Sequence, residues 1–275
     1  MSALSRPARR VLVLTVLLGV CFCVPALLAP WLAPEDPMAL DLMGSLTPPS
    51  WTHPLGQDEQ GGDILSRLIY GARISLVVGL ATVAVSASMG TAVGLLAGYA
   101  GGWTEQLAMR GVDVLLAFPG LLLAIGLVAV LGPGLGNVVI ALSVLGWTGF
   151  ARLVRGQVLT VKGLDYVQAA TSLGAGHLRL MLRHILPNMM APVLVQASFA
   201  IAGAILSEAS LSFLGLGAPP GTPSWGAMLA DGRNVLVEAP YVSIFPGLAI
   251  MLVVLGFNLL GDALADWLDP RRRDA

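Results

Sequence analysis

Charge is scarce in this chain of 275 residues. Only 11% of them are Asp, Glu, Lys or Arg, while 56% are hydrophobic; a soluble domain carries about 25% charged residues. Such a chain cannot clothe its own core in polar surface, which excludes an ordinary soluble globular domain. Lysine is nearly missing, since Lys162 is the only one and Gly163 follows it. A phosphate-binding loop of the form G-x-x-x-x-G-K-S/T needs a lysine on the phosphates and a hydroxyl on magnesium. This polypeptide therefore does not hydrolyse ATP by that route, and energy from ATP has to come from a separate partner. Histidine is equally thin. His53, His177 and His184 offer no pair at the i, i+4 spacing of a zinc helix. No G-x-S-x-G nucleophile elbow occurs. Cys21 and Cys23, the only two cysteines, lie inside an apolar run and read as small apolar side chains rather than a redox or metal pair.

What is abundant is apolar sequence in runs of the length a bilayer demands, about 20 residues per helix. We expect an all-α membrane protein with about six spans, at 11–31, 74–98, 112–131, 136–154, 189–211 and 242–262. The fourth is interrupted by Gly146, Trp147 and Thr148. "LGPGLGN" and "GLGAPPGTPSWG" mark turns between spans. Pro119, Pro192 and Pro246 are expected to open spans, where a missing N–H is no loss. The basic N-terminus before an apolar run resembles a secretory signal, but the run continues for about 20 residues and no A-x-A site follows it.

Lys and Arg fix the orientation. With residues 1–10 in the cytoplasm, the inner segments hold Arg6, Arg9, Arg10, Arg110, Arg152, Arg155, Lys162, Arg179, Arg183, Arg271, Arg272 and Arg273, twelve of the fifteen. Arg67, Arg73 and Arg233 remain outside. Residues 32–73 then form an external loop, 74–262 a five-helix core, and 263–275 a cytoplasmic C-terminus.

The longest inner connection, 155–188, reads "RGQVLTVKGLDYVQAATSLGAGHLRLMLRHILPN". It is expected to form a short helix from Asp165 whose Tyr166, Val167, Ala169 and Ala170 build an exposed face of small and apolar side chains. Gly174 and Gly176 break it, and a basic segment from Leu178 to Ile185 stops at Pro187. Small side chains allow close backbone approach, so such a helix can seat in a groove on another protein.

This loop resembles the "EAA" loop of ABC importer permeases, in which E-A-A is followed by three residues, Gly, nine residues and an apolar stretch ending Leu-Pro. Here Gln168-Ala169-Ala170 precede Gly174, and Leu186-Pro187 close the pattern; Gln168 replaces the Glu. The blocks "HPLGQDEQGGDILSRLIYGARISLVVGL", "DVLLAFPGLLLA", "GWTGFARLVRGQVL", "SEASLSFLGLGAPPGTPSWGAML" and "FPGLAIMLVVLGFNLLGDALADWLDP" resemble the C-type permease of dipeptide, oligopeptide and nickel importers, over residues 53–270. Gly62 stands where that family has Arg.

The resemblance implies a multi-pass permease of the bacterial cytoplasmic membrane with both termini inside. It also implies a second homologous permease, two ABC ATPase subunits, an extracytoplasmic substrate-binding protein and membrane lipid as partners, and no nucleic acid. The chain itself would bind no cofactor, ATP and Mg being used by the ATPases. The ATPase-coupling residues would be Asp165, Tyr166, Gln168, Ala169, Ala170, Gly174, Leu186 and Pro187. Peptides are the expected substrate, with nickel or a metal chelate as the alternative.

Of the polar residues near the spans, Glu208 and Asn258 are the ones expected at a translocation path, because a carboxylate is costly against lipid. Asp113 and Asp262 read as helix-end groups reaching interfacial water, and Asp58 and Asp63 as a turn and a helix cap near Ile64. Gly90, Gly94 and Gly98 make small-xxx-small steps for helix packing, within the chain or against a partner. An ion-coupled secondary transporter would carry inverted repeats and midplane carboxylates on a discontinuous helix. An intramembrane enzyme would need a paired nucleophile and base. Neither pattern is present.

Overall fold

A computed structural model describes residues 6–269; the first five residues and 270–275, with Arg271, Arg272 and Arg273 of the charge asymmetry, lie outside the described residues. Helix α1 (Arg6–Leu18) runs on through a π-helical turn at Gly19–Cys23 and a short helix at Val24–Leu27. Then come α2 (Ile64–Ala100), α3 (Gly102–Leu116), α4 (Gly120–Leu131) and α5 (Leu135–Lys162). They are followed by α6 (Asp165–Ser172), α7 (Leu186–Phe213), α8 (Trp225–Gly232) and α9 (Tyr241–Leu268). Helices α2, α5, α9 and the stretch His177–Phe213 that ends in α7 are each long and apolar enough to cross a membrane. Helices α3 and α4 pass that test only as a pair, bent by 87°, and the N-terminal apolar helix Val11–Leu27 is shorter.

The structure corrects several expectations. The interrupted span is the third, not the fourth. Pro119 does open α4, but it also ends α3, because a residue before proline is driven out of the helical region. Gly146, Trp147 and Thr148 lie inside an unbroken α5, where the Thr148 hydroxyl donates to the Leu145 carbonyl at 2.7 Å. Pro192 and Pro246 sit within α7 and α9, past their first turns. Pro187 does not stop the basic segment. The helix passes through a π-helical stretch, Leu180–Ile185, directly into α7 with Pro187 in its first turn, and that wider winding lets the missing N–H fall where the ladder is already shifted.

Helix α2 starts ten residues before the apolar run at 74 because Asp63 caps it. The Ser66 amide and hydroxyl donate to the Asp63 carboxylate at 2.8 and 2.7 Å. Arg67, in the first turn, folds back into the loop that precedes α2. Its guanidinium pairs with Asp58, and its Nε donates to the Pro37 carbonyl at 3.0 Å. Asp58 in turn accepts the Gln60 and Gly62 amides, each at 2.9 Å. A Cβ on Gly62 would stand 2.5 Å from the Arg67 guanidinium carbon, so the residue missing its side chain leaves the room that Arg67 fills.

The central pairing is α2 against α5, and the glycines of α2 make it. Cβ atoms added at Gly94 and Gly98 would stand 2.5 Å from the Ala151 carbonyl oxygen and 2.9 Å from Val158 Cβ, respectively. The small-xxx-small face thus packs within this chain. Helix α4 covers the N-terminal half of α5, with Ala124 and Val128 buried against Val138, Ala141 and Leu142. Phe22 packs its ring at a tilt against Trp225 and edge-to-face against Phe257, at centroid distances of 5.8 and 6.1 Å, which ties the N-terminal helix to α8 and α9.

Candidate coupling surface and membrane groove

Helix α6 is the short helix expected at Asp165, and it ends at Ser172. Its C-terminus closes in a Schellman pattern. The Gly174 amide donates to the Thr171 carbonyl at 3.0 Å and the Ala175 amide to the Ala170 carbonyl at 3.1 Å, with Gly174 at φ 83°. That left-handed geometry is what glycine supplies without steric cost.

The exposed face differs from the one expected. Val167 is 2% exposed and anchors the helix against Val158, Val161, Leu180 and Ile185, with Ala170 packed beside it. Asp165, Tyr166, Gln168 and Ala169 face outward, and Leu173 is 88% exposed. A helix this short needs an apolar anchor to hold it to the chain, so Val167 and Ala170 turn inward. Leu186 and Pro187 lie at the start of α7 rather than on α6.

Gln168 has a local role that a carboxylate would not fill. Its amide donates to the Gly163 carbonyl at 3.2 Å, at the C-terminal end of α5, where carbonyls lack helical partners. Tyr166 donates to the His184 carbonyl at 3.1 Å. A clamp behind the loop has no signature among the residue types. The Lys162 ammonium donates to the Tyr99 carbonyl at 2.8 Å and lies 5.3 Å from the Tyr99 ring centroid, and the Tyr99 hydroxyl meets His177 Nδ1 at 2.7 Å. The C-terminal ends of α2 and α5 and the start of the helix into α7 are thereby fastened together on both sides of α6. Arg152–Asp113, at 2.7 Å, and Arg155–Glu105 join α3 to α5; being largely exposed, the first contributes little to stability.

Glu208 is enclosed by protein on every side, 0% exposed. Ser212 donates to one carboxylate oxygen at 2.7 Å, and Ser75 of α2 approaches the other at 3.4 Å. It faces protein, as its cost against lipid requires, but it lines no surface of this chain. We expect Glu208→Ala to lower the melting temperature in detergent by several degrees, since it strands two buried hydroxyls and opens a cavity, an effect of about 2–4 kcal/mol. Glu208→Gln keeps an oxygen for Ser212 and should melt close to wild type; equal melting of both variants would contradict this role. Asn258, half-buried on α9, turns its amide back to the Val254 carbonyl at 2.9 Å.

The polar lining lies elsewhere. A groove of about 380 Å³ opens where α2, α5 and α7 meet the α3–α4 bend. Thr82, Ser86, Thr148, Gln196 and Ser207 line it, and Leu116, Gly120 and Leu121 bring the bend to its edge.

Residues 90–274 match the family described as "Binding-protein-dependent transport system inner membrane component". The chain belongs to this family. It is 48% identical over 268 residues to the "Di/tripeptide transport system permease protein DppC" of Pseudomonas aeruginosa (strain UCBPP-PA14), covering 95% of this chain and 88% of that protein. It is 52% identical over 223 residues to the "Glutathione transport system permease protein GsiD" of Pectobacterium atrosepticum, covering 81% and 74%. The fold is similar to that in the "Crystal structure of an amino acid ABC transporter with histidines", with TM-score 0.56 and 18% identity over 74% of this chain and 94% of that one. The protein is thus a multi-pass inner-membrane permease of an ABC importer. It is not itself an enzyme, and it works with an ATPase and a substrate-binding protein.

Proposed function

We propose that this permease carries short peptides into the cytoplasm as one half of a path completed by a second, homologous permease, with two ATPase subunits beneath and a peptide-loaded binding protein outside. The observation that carries the substrate is the 48% identity to a di/tripeptide permease across 95% of the chain. The glutathione permease supports the same class, since glutathione is itself a tripeptide. The chain binds no cofactor in this scheme; ATP and Mg belong to the ATPases. Closure of the ATPases on ATP moves α6, and α5 and α7, joined to it at each end, reorient the path. Differential contact with open and closed ATPases is what biases the two states.

The test is uptake into proteoliposomes holding both permeases and both ATPases, with binding protein outside and ATP inside. Radiolabelled dialanine should accumulate only when both are present. Accumulation of nickel without dialanine would overturn the substrate, and ATP-independent uptake would overturn the mechanism.

The Arg distribution supports a cytoplasmic position for both termini. In a background lacking Cys21 and Cys23, Ser50→Cys should react with an impermeant thiol reagent in intact cells and Thr160→Cys should not. Both positions are exposed, so the reverse pattern would invert the topology.

A further inference from the structure

Resting on the peptide-importer reading, we infer that the groove between α2, α5 and α7 is this chain's wall of the translocation path, and that Thr82 and Gln196 hydrogen-bond the main-chain amides of a passing peptide. Thr82 is the middle residue of α2, eighteen residues from Ile64 and eighteen from Ala100, so it sits deep in the membrane-spanning part. It is 4% exposed. Its hydroxyl has no hydrogen-bond partner, the only such buried side-chain atom among the described residues. A hydroxyl usually returns to the preceding turn of its own helix, as Ser198, Ser207 and Ser210 do on α7. Thr82 does not, and it lines the groove. Burying a polar group without a partner is costly, and such a group calls for an explanation, which a solute that comes and goes would supply here.

Gln196 is the second unmatched group. It stands on α7, half-buried, and among the described residues its amide meets no hydrogen-bond partner. Ser86 adds a hydroxyl at 3.5 Å from the Ser143 carbonyl, at the long limit of a bond that a solute could displace.

The chemistry of this lining selects a class of solute. Hydroxyls and a carboxamide both donate and accept, which matches the alternating N–H and C=O groups of a peptide main chain. None of the groove side chains is ionisable, so the wall offers nothing that would hold one peptide terminus and trap it. Conduction requires contacts strong enough to admit the solute and weak enough to release it. A bare divalent cation would instead need carboxylate, imidazole or thiolate ligands, and the groove lining supplies none. The α3–α4 bend, with Leu116, Gly120 and Leu121 at the rim, places the least regular part of the fold beside this lining.

The test uses the full complex in proteoliposomes, with dialanine as probe, and reads uptake and ATP turnover together. Thr82→Val keeps the shape and removes the hydroxyl, and Gln196→Leu removes the amide. Each should lower dialanine uptake by about fivefold, the worth of one hydrogen bond, while ATP turnover stimulated by the loaded binding protein stays within about twofold of wild type. Thr82→Ser should restore uptake. Thr82→Val should melt no lower than wild type, because it removes an unsatisfied polar group. Unchanged uptake in both variants overturns the inference, and so does a parallel fall of uptake, ATP turnover and melting temperature, which marks a packing role. Ser207→Cys, in a background without Cys21 and Cys23, supplies an independent reading. Thiol labelling slowed by dialanine supports a path, whereas a thiol that never reacts in the assembled complex makes the groove a packing surface for the second permease. A wild-type complex that takes up no dialanine sinks the substrate reading and this inference with it; a competent wild type with unaffected variants sinks this inference alone.

Discussion

Gly94→Leu is expected to leave almost no folded permease in the membrane. Helices in a bilayer gain little from the hydrophobic effect on meeting each other, so close backbone packing has to hold them. Helices α2 and α5 approach along Gly90, Gly94 and Gly98. At Gly94 even a methyl would stand 2.5 Å from the Ala151 carbonyl oxygen and 2.9 Å from Val154 Cβ. The obstacle is backbone, which cannot swing aside as a flexible side chain would. Overpacking a fitted contact costs about 1–3 kcal/mol where neighbours can adjust. A leucine against helix backbone should exceed that range by separating the two helices along the whole seam. Recovery of a monodisperse species on size exclusion after detergent extraction is the measurement. Gly111→Leu is the control, because nothing lies within 4 Å of a Cβ there. Equal recovery of Gly94→Leu and the control would mean that the seam does not hold the fold.

That seam was legible in the sequence as three glycines at intervals of four, but not which helix would meet them. Four of the six expected spans could be read, and a fifth as the bent α3–α4 pair, because an apolar run of about 20 residues has few other uses. Their ends could not. The first turns of α2 carry Arg67 and Arg73, which look like loop residues until the preceding loop is seen to absorb Arg67 through Asp58 and the Pro37 carbonyl. The prolines misled in a different way. Pro192 and Pro246 were expected at helix starts and lie inside helices, since a membrane helix tolerates the lost bond when its neighbours hold it straight. In the loop at 155–188 the residue types located the helix, but the side of it that faces out depends on which residue the core takes. That residue is Val167. Thr82 and Gln196 had no signature at all: a lone hydroxyl or amide in an apolar run becomes informative only when the packed structure leaves it without a partner.

The second large effect is expected at Gly174. Its φ of 83° disfavours any residue with a side chain, by about 1–2 kcal/mol. Within this chain, however, nothing lies within 4 Å of a Cβ there. Gly174→Arg should therefore insert and fold, with Val167 still anchoring α6. What it changes is the exposed surface, where a long charged side chain would stand beside Ala169 and Leu173 on the face proposed to meet the ATPase. Gly174→Ala carries the same backbone cost with almost no bulk, so it separates strain from steric blockade. We expect the ATPase to co-purify with wild type and, in good measure, with Gly174→Ala, and to be lost from Gly174→Arg at equal permease abundance.

The most direct measurement of the whole account is ATP turnover in proteoliposomes containing the two permeases and the ATPases, with peptide-loaded binding protein added outside. Loaded binding protein is expected to stimulate hydrolysis and dialanine uptake in the wild-type complex, and Gly174→Arg to abolish both while the permease remains folded in the bilayer. Equal stimulation and equal uptake with Gly174→Arg would contradict it, because α6 would then not be the surface through which ATP hydrolysis drives transport.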